Sequence, residues 1–152
     1  MSGKQRTTVR DGETSISKRR IALLQLHRSV DLLDQGDPVC ALTLAAAAEE
    51  ILGQIAKKKS HRTQLENNAI WFDSVADFLK ARRPSRKKFY GASNRLRNEF
   101  KHNDCGRNVR VRGDLVFEAE EVIIRAVKNY HHAFGCLPGS KIVREWFMDM
   151  TM

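Results

Sequence analysis

Apolar positions recur at helical spacing along most of the chain, and glycine, proline and capping residues divide it into successive helices. Ile21, Leu24, Val30, Leu32 and Leu33, with Leu23 and Leu26, predict a first helix from about Ser15 to Gln35, which Gly36 ends. Asp37 and Pro38 read as N-cap and first helical residue: the carboxylate accepts from orphan N–H groups, and proline has none to lose. The second helix, Val39 to about Lys58, is rich in alanine. Small side chains over two turns let a neighbouring helix approach, so this is expected as the central element, with Lys57, Lys58 and Lys59 at the negative end of its dipole. A third helix, about Leu65 to Ala81, presents Ile70, Trp71, Val75, Phe78 and Leu79 as its apolar side. Pro84 and Ser85 open a fourth, which carries Phe89, Tyr90, Leu96 and Phe100 and is broken by Cys105-Gly106. In 106-GRNVRVRGD-114, Val109 and Val111 alternate with arginines, which fits a loop or a short extended piece. Asp114 caps a fifth helix, about Leu115 to Phe134, with Val116, Phe117, Val122, Ile123, Ala126, Val127 and Tyr130 inward. A turn from Gly135 to Gly139 leads to Ser140, the cap of a last short helix reaching about Met150. The expected fold class is all-α: an antiparallel up-and-down bundle of four main helices plus short C-terminal additions.

A chain of 152 residues supports one domain, expected over 15–152, behind a disordered basic tail at 1–14. With 41% hydrophobic and 30% charged residues, the composition is that of a soluble helical protein. No apolar run approaches the roughly 20 residues that span a bilayer. The longest, ALTLAAAA at 41–48, opens into Glu49 and Glu50, so no membrane partner is expected. The N-terminus lacks an apolar signal core, and three widely spaced cysteines suit a reducing compartment; the expected location is the cytoplasm.

Charge changes this picture once it is located. The chain carries +9, yet residues 80–112 alone hold twelve cations against Glu99 and Asp104, a local +10. Charge gathered in this way is the electrostatic footprint of a polyanion partner. Solubility alone does not require such clustering. Arg86, Lys87, Lys88, Arg95, Lys101, Arg107, Arg110 and Arg112 are the candidate RNA-binding residues.

Within this segment, 94-NRLRNEFKHND-104 places Asn98 directly after Arg97 and His102 five positions after that arginine. Arg97 and Lys101 are i,i+4 neighbours, as are Asn98 and His102, and Arg97 and His102 lie about 140° apart around a helix. Leu96 and Phe100 form the core-facing pair, which puts Arg97 at the edge of the core, partly desolvated. The helix C-terminus favours a charged His102 while Arg97 and Lys101 oppose it.

Arg97-Asn98-Glu99-Phe100-Lys101-His102, near the end of a long helix, resembles the Arg-x(4–6)-His hallmark of the HEPN superfamily, in which Asn, Asp or His usually follows the arginine. ALTLAAAAEEILG (41–53) and EVIIRAVKNYHHAFG (121–135) look like the helices flanking that motif in small bacterial members, so the resemblance covers about residues 15–135. It implies a metal-independent endoribonuclease acting as a homodimer without cofactor. His102 would handle protons, Arg97 would stabilise the charged phosphorane, and Asn98 would orient one of them. A toxin, defence or stress-response role is implied, with an antitoxin or other protein as a possible partner. In members paired with a nucleotidyltransferase antitoxin, a tyrosine often stands two residues after the histidine; here that place holds Asp104, which weakens that pairing. Many members are non-catalytic, so the alternative is a module that binds RNA, a nucleotide or a protein.

The plainer readings are as follows. Arg97 and Asn98 tie down the following loop while His102 is a surface cap. In the Glu49-Glu50 doublet, one carboxylate is exposed and the other salt-bridged, either being able to offset Arg97 across the bundle. His102, Cys105, His131, His132 and Cys136 supply enough N and S atoms for zinc, but no Cys-x-x-Cys knuckle exists and no metal is expected. His131 or His132 more simply caps the fifth helix. No glycine-rich phosphate loop or nucleophile elbow is present.

Overall fold

The computed structural model describes residues 15–101 and 110–152, and every regular element among them is an α-helix. The helices are α1 (Lys18–Asp34), α2 (Pro38–Lys58), α3 (Gln64–Phe78), α4 (Arg86–Ser93), α5 (Arg95–Lys101), α6 (Leu115–Phe134) and α7 (Lys141–Thr151). Side-chain caps fix most of the starts. Asp37 accepts from the Cys40 N–H at 3.0 Å, with Pro38 in the first turn, and Asp114 accepts from Phe117 at 3.0 Å. Thr63 and Glu66 form a reciprocal capping box at the head of α3, a Thr-x-x-Glu signal that places its start ahead of the expected Leu65. Gly135 closes α6 in the left-handed conformation (φ 70°), which a side chain would strain.

The most extensive helix contacts are those of α2 with α6 and with α1, so the alanine-rich helix is central, as its composition predicts. Ala41, Ala45, Ala46, Ala48 and Ala56 are all buried. They let Leu26 and Val30 of α1 and Val122, Ile123 and Val127 of α6 close over Leu42 and Leu52 in one core. At Gly53 a Cβ would stand 3.3 Å from Thr63 Cγ2 and 3.4 Å from Asn129 Nδ2, so the missing side chain is what admits the start of α3 and the flank of α6. By length and hydropathy (window mean 1.5) α2 does reach the range of a membrane-crossing helix, contrary to the expectation from its short apolar run. Half of that window is buried inside the fold against α1 and α6.

Three further expectations are corrected. The single fourth helix is two, α4 and α5, divided at Asn94. Serine and asparagine at 93–94 are weak helix formers, and the Asn94 side chain turns to the Arg125 guanidinium at 3.5 Å while its carbonyl starts the next helix by accepting from Asn98. The third helix stops at Phe78 rather than Ala81, and its apolar side does not face the core: Trp71 is 67% exposed, Phe78 85% and Leu79 65%, with Ile70 also exposed. It seats itself instead through Ala69 and Ala76, because among the described helices it packs chiefly on α6 and the short α4. Val116 and Phe117, expected inward, are exposed in the first turn of α6, whereas the later residues of that stripe are buried as expected.

Candidate functional site

Arg97 sits where the core face of α5 meets solvent: Leu96 beside it is buried, Phe100 packs on the core, and the Arg97 side chain keeps 19% of its exposure. Its Nη1 donates to Glu49 Oε2 of α2 at 2.7 Å. The other oxygen of that carboxylate, Oε1, accepts from Arg125 Nε of α6 at 2.9 Å. Glu49 and Arg125 are both buried (side chains 6% and 5% exposed), so one carboxylate holds two guanidiniums from two other helices. Glu50 is the exposed member of the doublet. Glu49 balances only one of the two cations, and the formal charge of the cluster is +1. Arg97 Nε is buried and meets no acceptor among the described residues.

Asn129 ties the cluster to α3. Its Oδ1 accepts from Gln64 N at 2.7 Å, one of the N–H groups a helix start leaves unpaired, and its Nδ2 donates to the Glu49 carbonyl at 3.4 Å. Arg125, Asn129 and Asn94 were not among the sequence-derived candidates. A signal existed for the first two: a cation and an amide four residues apart within the apolar stripe of α6 need a buried partner.

The remaining candidates divide by location. Asn98 is exposed beside Arg97, and Lys101 is the last residue of α5. His102 and Arg107 lie outside the described residues, as does Cys105. Arg95 pairs with Glu99 at 2.8 Å and donates to the Arg112 carbonyl at 3.0 Å, drawing the 110–113 strand of coil against α5. Carboxylates also take up other cations of the basic segment: Arg86 meets Asp73 at 2.6 Å and Arg83 is paired with Asp77. Lys80, Arg82, Lys87, Lys88, Arg110 and Arg112 are exposed and without a carboxylate partner among the described residues. The usable positive surface is therefore smaller than the count of twelve cations implies.

The histidine and cysteine residues do not assemble. Among the described residues no group of three metal-ligating side chains occurs. Cys40 and Cys136 are free and exposed. His132 is committed to α3, its Nε2 lying 3.1 Å from Gln64 Oε1 and 3.3 Å from Asn67 Nδ2. Burial, then the neighbouring His131, His61 and Lys128, hold its imidazole below the ordinary 6.5. Because the folded state prefers neutral His132, its contribution is complete above pH 6.5 and is lost as pH falls below that through the depressed folded value. Chemical denaturation at stepped pH should thus show stability declining on the acid side of 6.5, with a shallower decline in His132→Gln; equal slopes would contradict this origin.

Comparison with protein-family models, curated proteins and solved structures yields no match.

Proposed function

We propose that this protein is a metal-independent endoribonuclease of HEPN type, with Arg97 as its phosphate-stabilising cation and His102 as its acid–base group. The observation that carries the reading is the Glu49–Arg97 contact: a guanidinium fixed at the rim of the core, in a cluster that keeps net positive charge. A pre-positioned cation costs no reorganisation when charge builds on phosphorus, which is where electrostatic catalysis is strongest. RNA supplies the nucleophile. The 2′-oxygen attacks the adjacent phosphorus, the P–O5′ bond breaks, and the products are a 2′,3′-cyclic phosphate and a 5′-hydroxyl. His102 takes the proton of the 2′-OH or returns one to the leaving oxygen, and Asn98 orients its neighbours.

A homodimer with α5 near the two-fold axis belongs to the same proposal, since an isologous interface brings two Arg97/His102 pairs into one cleft. So do the four-main-helix bundle and the cytoplasmic setting. A second reading rests on the same cluster: a carboxylate 2.7 Å from Arg97 competes with phosphate for that guanidinium, which favours a module that binds RNA or a protein partner without cutting. Incubating mixed RNA with the protein in EDTA, wild type against His102→Ala, separates the two.

RNA binding, whether or not it leads to cutting, requires salt dependence. RNA affinity should fall steeply between low and physiological ionic strength. Replacing Arg86, Lys87 and Lys88 together with alanine should weaken all sequences about equally, because phosphate contacts carry no sequence code. Filter binding that is flat across this salt range would reduce the basic segment to a solvated face.

A further inference from the structure

Beside the Arg97 cluster, a pocket of about 360 Å³ opens between α3, α4 and α6. This is the lower end of ligand-pocket volumes, room for one nucleoside-sized group. Its apolar wall is aromatic: Trp71 and Phe72 from α3 and Phe89 from α4, with the Phe72 and Phe89 rings 5.6 Å apart. Its polar wall holds Asn68, Glu121, Arg125 and Lys128. Asn68 uses its Oδ1 for Gln64, at 2.7 Å, and its amide N–H donors are uncommitted. Glu121 offers an acceptor and Lys128 a cation, neither with a partner among the described residues.

We propose that this pocket seats one unpaired nucleobase of a single-stranded RNA, stacked on Trp71 and read at its edge by Asn68 and Glu121. The proposal rests on the reading that the ligand is RNA and names the part of the strand the site takes. Three observations select a base over other flat ligands. An aromatic platform with an open face is what every base can use, whatever its sequence. The helix that contributes Phe89 also presents Lys87 and Lys88 to solvent, so cations for the backbone flank the stacking surface. Arg125 belongs both to the pocket wall and to the Glu49 cluster, so a stacked base lies two hydrogen bonds, 2.9 and 2.7 Å long, from Arg97. A strand entering the pocket by one base passes its phosphates across the cationic rim. Trp71, two-thirds exposed with no packing role in the core, is the residue this arrangement explains.

The test uses the wild-type chain and an uncleavable probe: a fluorescent single-stranded RNA with its 2′-hydroxyls methylated and a strand of equal length and chemistry carrying an abasic site, compared by anisotropy in EDTA. The abasic strand should bind roughly 5- to 100-fold more weakly, the range for loss of one base–aromatic stack. Trp71→Ala should bind the base-bearing strand as weakly as the abasic one, and Trp71→Phe should keep most of the preference; circular dichroism should match wild type, since Trp71 is 67% exposed. Equal affinity of wild type for both strands would overturn the pocket while leaving RNA binding intact. Failure to bind either strand would remove the RNA reading and the pocket together. Trp71→Ala that keeps the base preference but turns a dimer into a monomer by light scattering would overturn the proposal and assign this face to a protein interface.

Discussion

Substituting His102 with alanine should lower RNA cleavage by about 10²- to 10⁴-fold, the usual contribution of a positioned acid–base group, while leaving RNA affinity unchanged. The reaction should proceed in chelator, because the proposed nucleophile is the substrate's own 2′-OH. Products should carry 2′,3′-cyclic phosphate ends, and a strand lacking the 2′-OH at the cut should bind and survive. Arg97→Lys should also be severe, since a point-charge ammonium cannot reproduce a planar fork that meets Glu49 with one arm and, in the proposed mechanism, phosphate with another. Asn98→Ala should be milder if that exposed amide only orients its neighbours. Gel analysis of end-labelled RNA distinguishes these outcomes. Full-rate cutting by His102→Ala, or loss of cutting with EDTA, would end the mechanism and leave the binding module as the better account.

Glu49→Ala should be the most destabilising single change in the cluster, with an expected loss of about 3–5 kcal/mol, because it strands the buried Arg125 without a counter-charge. In a chain of this size such a loss lowers the melting temperature by about 6–20 °C. The magnitude comes from the orphaned cation, not from the attraction itself. Taking two charges out of water costs nearly what their pairing returns, so Glu49→Leu combined with Arg125→Met should recover much of the stability. Arg97, still partly exposed, can turn to solvent in that double variant, and cleavage should stay impaired even though the fold returns. Urea titration of the single and double variants measures both effects. A Glu49→Ala loss below about 1 kcal/mol, the worth of a surface pair, would mean that the carboxylate is not holding buried charge.

The helices and most of their caps were legible in the chain because they depend on near neighbours. Asp37-Pro38, Asp114 and Ser140 act on N–H groups two or three residues away, and the resulting starts agree with the structure. The central place of 41–56 followed from alanine alone, since small side chains have value only where another helix comes close. The position of Arg97 at the core edge followed from Leu96 and Phe100. A salt-bridged member of the Glu49-Glu50 doublet was foreseeable as well, although which of the two was not.

What the chain could not disclose is whatever depends on which element stands opposite. Trp71, Phe78 and Leu79 have the spacing of an inward stripe, but spacing records only that residues share a side, and α3 meets the core through Ala69 and Ala76. The break at Asn94 is similar: its cost is met by Arg125, 31 residues away. Arg97 and Glu49 are 48 residues apart and Glu49 and Arg125 are 76, so their shared carboxylate exists only once α2, α5 and α6 have packed. Local preference is written into each segment of a few turns, whereas the pairing of distant charges is decided by burial, which forces each buried cation to find the one carboxylate that folds beside it.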